Sequence, residues 1–511
     1  MITLNQFGEI LWDIWDEPEA LQELESGSLA NFDDLHRCYV TWPTSLPRLK
    51  SFLEFINAYE LKLHPTLQAW LQTPEKLVEF FWLNRLAMSR AETYPGRLPG
   101  RLKEYLNPLQ QAAAAYAAHV RCSFIADPKP EDRRAAALGA ICLLRGWPVI
   151  LVCRREERDL WETQARRILP DDSAFLNLSQ VNLRTPEKSV WFVQYDELHA
   201  GFRPPPPEVK YRTTLVDHAD WIKHPNSQRS ARVAEIAVRS QYRFLLTHFP
   251  VDLAPRDLLE PLNILGQQAN FERLLGFLKN ITPNPAYNRW IYQGEYLDHL
   301  EKLYYQLRTT CLVRRGNDPG LSVQRNIVRV GLAQEFPEWV NPADVKSEWR
   351  ELGLKKLPAV ITWLKTFLTK QPGKVLIIAY HNQVVEEIAQ QLGILAIYGG
   401  VASEARRETI IQSFLSPEGP PALVVASRAG ISWKLPAVGT VILAELLITP
   451  QDYFGILDSL QDAQEQKQAR RQLLVYLLVS NSSQDWGAME CLKLRIADDQ
   501  RVLDQTQENR N

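Results

Sequence analysis

From about residue 96 onward, short apolar runs alternate with amphipathic segments. CSFIAD, PVILVC, SVWFVQY, TTLVD and FLLT are bounded by polar or turn residues, and AAALGAICLLRG and RDLWETQARRIL between them repeat their apolar positions at helical spacing. Continuous apolar runs mark strands buried on both faces, and their alternation with helices predicts a parallel sheet covered by helices. The rhythm returns in KVLIIAY, VVEEIAQQLG, LAIYGG, ARRETIIQSFL, ALVVAS, TVILAEL and QLLVYLLVS, which predicts a second such lobe. Between the two, NRWIYQGEYLDHLEKLYYQL and its neighbours read as mainly helical. Before them, LPRLKSFLEFINAYEL and TPEKLVEFFWLNRLAM predict a helical module, ended by the Pro and Gly of ETYPGRLPGR. The expected architecture is α/β: a helical accessory module at 1–95, a first lobe at 96–257, a helical insertion at 258–351, a second lobe at 352–497 and a polar tail at 498–511.

Composition narrows the class without naming it. With 511 residues, 45% hydrophobic and 23% charged, the chain is long enough for several cores and too apolar to be disordered. A formal net charge of -2 supplies no global basic field, so any contact with nucleic acid must rest on a local patch. The six cysteines lack a C-x-x-C pair, which argues against a zinc ribbon or disulfide framework and fits a reducing compartment. The acidic start MITLNQFGEILWDIWDEPEA lacks the pattern of a signal peptide, and runs such as LLVYLLV are too short to span a bilayer. These readings point to a cytoplasmic protein with no membrane contact.

Three local features each admit two readings. Pro204 to Pro207 form either a stiff extended connector or a docking site for a proline-reading domain. Trp12, Trp15, Trp42, Trp70 and Trp82 either pack a core or stack bases or a partner. Asp217, His218, Asp220 and His224 are close enough in sequence to suggest a metal cluster, but a strand end followed by a loop need not converge them, and no metal is assigned.

Taken in order, several weak signatures from about Leu106 to Leu494 resemble the SNF-type branch of the superfamily-two helicases, with the nearest likeness to annealing-helicase and HepA-like members. YLNPLQQAAAAYA resembles the adenine-reading element, with Gln110 at the glutamine position; PVILVCRREERDLWETQARRILP, VWFVQYDEL, VDHADWIKHPNSQRS, FLLTHFP and LRTTCLVRR follow. KVLIIAYHNQVVEEIAQQL, YGGVASEARRETIIQSF, ALVVASRAGISWKLPAVGTVILAELLITP and LLVYLLVS continue the same order. The resemblance implies two RecA-like lobes and duplex DNA lying across them.

It also implies a nucleotide site, and the residues depart from that site at three elements. The phosphate loop should follow CSFIAD, where PKPEDRRAAAL stands instead; Pro128 and Pro130 lack N–H donors, and Glu131 and Asp132 add negative charge beside a polyanion. Arg133 takes the position of the lysine and Arg134 that of the magnesium-binding hydroxyl residue. Asp217 remains at the magnesium motif, but His218 replaces the catalytic glutamate. In GILDSLQDAQE, Asp458 matches the family, while Ser459 and Asp462 replace two arginines and so invert the charge needed opposite a developing phosphoryl transition state. The expectation is a vestigial nucleotide site at Gln110, Arg133, Arg134 and Asp217, with no catalytic residue and no cofactor.

Lys223, Arg229, Arg232, His381 and Lys434, with Tyr380 and Asn382, fall near family contacts to the DNA backbone, which require only placed cations and polar donors; they read equally as a solvated face. The expected role is a catalytically inactive SNF-like homologue that binds duplex or branched DNA, or serves as a scaffold with a protein partner in a nucleoprotein complex. The alternatives are a divergent active DNA-dependent ATPase and a purely protein-binding scaffold.

Overall fold

The computed structural model describes residues 1–73, 98–247, 258–271, 302–313, 323–332, 345–447 and 473–480, apart from short gaps within them, together with isolated positions that include Tyr453 and Asp485. Pro128, Lys434, Asp458, Ser459, Asp462, Trp82 and the polar tail lie outside the described residues.

The N-terminal module corrects the periodicity reading by addition. Its helices α1 (Pro18–Ser26), α2 (Leu46–Ala58) and α3 (Pro65–Leu71) are joined by a four-stranded antiparallel sheet, β1 (Ile2–Leu4), β2 (Ile10–Trp12), β3 (Asn31–Asp33) and β4 (Cys38–Thr41), in the order β1-β2-β4-β3. Strands this short carry too few residues to display a period of two. Trp12 organises the core: its ring meets Phe52 and Phe55 edge-on at 5.2 and 5.4 Å, and its Nε1 donates to Thr41 Oγ1 at 2.8 Å. Trp12 and Trp70 are therefore core residues, whereas Trp15 is 49% exposed. Trp42 stacks on Tyr305, with centroids 5.4 Å and planes 16° apart. Beside that stack, Gln306 Nε2 donates to the buried Glu9 carboxylate at 3.0 Å, and Tyr305 Oη donates to the Gly8 carbonyl at 3.3 Å. The module is thereby fastened to the segment that leads into the edge of the first large sheet.

That sheet is wholly parallel and seven-stranded. Its elements are α4 (Gly100–Tyr105), α5 (Pro108–Val120), β5 (Cys122–Ile125), α6 (Pro130–Leu144), β6 (Val149–Cys153), α7 (Arg158–Ile168), β7 (Ala174–Asn177), β8 (Ser189–Gln194), β9 (Thr213–Val216), α8 (Gln228–Ala237), β10 (Tyr242–Leu246), α9 (Leu259–Leu265) and β11 (Leu312–Val313). The strand order is β11-β5-β10-β9-β6-β8-β7. The central strands are buried on both faces, as their continuous apolar sequences require. α5 and α6 approach closely through alanine faces, and a Cβ at Gly139 would lie 2.8 Å from Leu106 Cδ1 and 2.9 Å from Ala114 Cβ. Arg239 holds the proline run as a fixed connector: its guanidinium donates to the Pro205 and Pro206 carbonyls at 2.5 and 2.9 Å and to Val209 O at 3.2 Å.

The second parallel sheet has six strands. It comprises β12 (Val323–Val330), α10 (Val345–Lys370), β13 (Lys374–Ala379), α11 (Asn382–Leu392), β14 (Leu395–Ile397), α12 (Glu404–Leu415), β15 (Ala422–Ala426), β16 (Val438–Leu443) and β17 (Leu473–Ser480), ordered β12-β17-β16-β13-β15-β14. Two α/β lobes are present as expected. The stretch 258–351 is not helical throughout: β11 joins the first sheet, β12 pairs along its whole length with β17, and α10 runs across residue 351. A buried ion pair ties α10 to the end of β17, with Lys356 Nζ at 3.1 Å from Asp485 Oδ2, which also accepts from Ser480 N at 2.7 Å. No helix among the described residues is long and apolar enough to cross a membrane.

Candidate functional site

In parallel α/β sheets, ligands are held beyond the carboxyl ends of the strands. Here the ends of β5, β6 and β9 converge with the starts of α6 and α7.

At the start of α6, acidic side chains of the chain itself sit at the positive end of the helix. Pro130 is the first helical residue, Glu131 and Asp132 fill the first turn, and these acids complement the positive end of the helix. The Gln110 amide is used at both ends: Oε1 accepts from Asn107 N at 2.9 Å, and Nε2 donates to Asp132 Oδ1 at 2.5 Å. Arg133 turns back to donate to the Asp127 carbonyl at 2.6 Å. Arg134 donates from Nε to Gln164 Oε1 at 3.1 Å, and its guanidinium lies 5.9 Å from the Trp161 ring centroid. Both arginines are buried, so the two cations expected to face a ligand serve the packing of α6 on α7 and the β5 loop.

Asp217 is held with equal completeness. Its backbone N donates to Val152 O at 2.9 Å, continuing the β6–β9 register past the strand end. Oδ2 accepts from Trp161 Nε1 at 2.8 Å, Oδ1 accepts from His218 N at 3.0 Å, and the carbonyl accepts from Tyr195 Oη at 2.6 Å. His218 adopts a left-handed backbone (φ 53, ψ 54) and places Nε2 2.8 and 2.9 Å from the two Glu157 oxygens. Burial and Arg154 lower the affinity of His218 for its proton, but Glu157 and Asp217 outweigh them and its pKa stands above the ordinary histidine value. Burial alone would raise Glu157; His218 first, then Arg154 and Arg134, hold it well below the usual carboxylate range.

Glu157, Asp217 and His218 bring one ligand atom each within 4.8 Å of one another, the one group of this kind among the described residues. It is not the set that the sequence suggested, because Glu157 replaces Asp220 and His224. The group does not fit the magnesium that the SNF-type resemblance implies. Hard cations need carboxylate oxygens without a competing cation, whereas both Glu157 oxygens face His218 Nε2 with the Arg154 and Arg134 guanidiniums nearby, and each Asp217 oxygen already accepts one N–H.

The residues expected to meet nucleic acid divide between the lobes. Lys223, Arg229 and Arg232 share the segment that runs from the turn after β9 into α8, where Ser227 caps the helix by accepting from Ser230 N. Arg229 lies 5.0 Å from the Trp221 ring centroid and Arg154 lies 4.6 Å from it, so the indole is flanked by two guanidiniums. Arg232 pairs with Glu235 at 2.8 Å. His381 belongs to the second lobe, where its Nδ1 lies 2.8 Å from Glu445 Oε1 while Glu445 Oε2 accepts from the backbone N of Tyr380 and of His381, each at 2.8 Å. Glu445 thus serves the start of α11. Sequence reasoning missed Glu157, Trp161, Arg154 and Glu445, each of which is distant in sequence from its partner.

The chain is similar in sequence to two curated proteins. The chain is 21% identical over 444 residues to the human (Homo sapiens) DNA annealing helicase and endonuclease ZRANB3, covering 77% of this chain and 40% of that protein. It is 21% identical over 376 residues to the Caenorhabditis elegans homolog of SWI/SNF-related matrix-associated actin-dependent regulator of chromatin subfamily A-like protein 1, covering 66% of this chain and 53% of that one. The chain is similar to SNF-type helicases over most of its length. It spans about half or less of the length of these curated relatives. A solved structure of the Sulfolobus solfataricus SWI2/SNF2 ATPase core in complex with dsDNA aligns over 78% of this chain and 93% of its own, at 16% identity and a TM-score of 0.36. No protein-family model matches. Asp217 and Gln110, where the sequence led one to expect a nucleotide site, are engaged within the chain by the Trp161 indole and by Asp132.

Proposed function

We propose that this chain is a catalytically inactive SNF-like homologue that binds duplex or branched DNA, or acts as a scaffold subunit, through a surface that does not depend on ATP hydrolysis. The observation that carries this reading is the Asp217 carboxylate, which accepts from the Trp161 indole and from the backbone N of His218. A water-activating carboxylate is replaced there by a histidine engaged with Glu157. Gln110, Arg133 and Arg134 are likewise committed to intramolecular partners. Nucleic-acid binding asks less of a protein: cations beside a phosphate backbone suffice, and Lys223, Arg229 and Arg232 lie on one segment.

The test has two arms. Phosphate release from ATP with saturating duplex DNA should equal the protein-free rate, and a release abolished by Asp217→Ala would overturn the inactive reading. Duplex binding should be independent of sequence and fall with salt, each neutralised phosphate contributing about -0.9 to the log-log slope. Arg229→Ala together with Lys434→Ala should flatten that slope. Undetectable binding to duplex and forked DNA at low salt, with a protein partner co-purifying, would leave the scaffold role alone. A divergent active ATPase is the second reading, favoured by the buried Glu157 carboxylate beside Asp217 and His218; DNA-stimulated hydrolysis lost in Glu157→Gln would establish it.

A further inference from the structure

Trp15, Phe32 and Tyr39 form a ring-to-ring cluster at the margin of the N-terminal module. Phe32 and Tyr39 are paired across β3 and β4 with centroids 5.3 Å apart, and Trp15 lies 6.1 Å from Tyr39 and 6.5 Å from Phe32. The register places both on the face of the sheet that buries Trp12, since Tyr39 is also paired with Trp12. Beyond the cover of the helices that core becomes surface: Trp15 is 49% and Phe32 48% exposed. Large aromatic side chains exposed together on a folded domain mark an interaction site more often than isolated ones.

The charge around the cluster selects the partner. Residues 1–42 carry nine carboxylates and one basic residue, Arg37. Asp13 and Asp16 flank Trp15 and are exposed, and Glu25 accepts the Tyr39 hydroxyl proton at 2.7 Å. A polyanion would be repelled here, so the aromatics are poorly placed to stack the bases of nucleic acid. Cations over aromatic faces beside carboxylates are favourable in both respects. β3 is also the outermost strand of its sheet, paired among the described residues with β4 alone, so its outer edge offers backbone groups to an added strand.

From this geometry we infer that the Trp15–Phe32–Tyr39 cluster is a docking surface for a basic segment of a partner protein, in which lysine or arginine alternates with apolar side chains. The surface is separate from the segment that follows β9 and does not rest on the nucleic-acid reading. The probe is a short labelled peptide alternating lysine with leucine, titrated against the full chain, with a glutamate-leucine peptide and oligothymidylate of equal length as controls. The lysine peptide should bind in a salt-dependent manner and the controls should not. Trp15→Ser, Phe32→Ser and the charge reversal Asp16→Lys should each weaken it about tenfold while the melting curve stays that of the wild type, a size expected for losing one desolvated cation–aromatic contact. Asp16 is exposed in a turn, so its variant keeps the test valid if an aromatic variant misfolds. Absence of lysine-peptide binding, or binding indifferent to Trp15→Ser and Asp16→Lys, overturns the inference. So does oligothymidylate binding lost in Trp15→Ser, which would make the cluster a base-stacking platform, and so does concentration-dependent dimerisation lost in the same variant.

Discussion

Gly353 in α10 leaves the space into which the Glu445 carboxylate projects: a Cβ built on Gly353 would collide with Oε1 and lie 3.0 Å from Cδ. A buried carboxylate can therefore reach the start of α11 only because that helical position lacks a side chain.

Helix propensity alone would make Gly353→Ala stabilising by about 1 kcal/mol. The structure reverses the sign, because the new methyl displaces a carboxylate that accepts two backbone N–H groups. A net loss of about 1–3 kcal/mol is expected, read as a lower urea midpoint. A raised midpoint would refute the contact.

Trp161→Phe keeps most of the buried ring and removes the indole N–H that Asp217 accepts. Leaving a buried acceptor short of one donor should cost about 1–3 kcal/mol. Since the proposed function does not use the cleft, duplex-DNA affinity should stay within error of wild type in the same preparation.

The His218–Glu157 pair predicts a pH window for stability. His218 is raised above its ordinary 6.5, so its stabilising contribution is complete below that value and is lost as pH rises through the folded pKa. Glu157 is lowered from 4.5, so its contribution is complete above 4.5 and is lost as pH falls through the folded pKa. Both act together between these two values. Unfolding free energy measured from pH 5 to 8 should fall at the alkaline end, and Glu157→Gln should flatten that fall; an unchanged slope would dissociate the two residues.

Lys356→Met should be among the most damaging substitutions in the second lobe. It strands Asp485 as an uncompensated buried charge, at a cost of about 3–5 kcal/mol. The double variant Lys356→Met, Asp485→Asn should recover part of the loss in thermal denaturation, and failure to recover would separate the two side chains.

The strands that sequence could reveal are those buried on both faces. β5, β6, β8, β9, β10, β13, β15, β16 and β17 all coincide with apolar runs, because a strand between two helix layers needs an apolar side chain on either side. β7 and β12 lie at sheet edges, and VQRNIVRV interrupts its apolar residues with two arginines, a glutamine and an asparagine, so that no run of hydrophobics flags it. In the sequence the candidate site showed as two positions that keep the SNF-type residue, Gln110 and Asp217, and two that depart from it, Arg133 and Arg134. The side chains that engage them did not show. Glu157 and Trp161 lie on a helix start some sixty residues from Asp217, and only the β6–β9 register brings them beside it.

The stack of Trp42 on Tyr305, with Gln306 held by Glu9, bears on how the molecule can be divided. Tyr305 and Gln306 are 3% and 2% exposed because the first residues of the chain cover them. A fragment starting after residue 73 would present an uncovered tyrosine and an orphaned amide at the root of β11, the outermost strand of its sheet. The amino-terminal residues are thus part of the first lobe's seal, and dissection experiments should cut elsewhere.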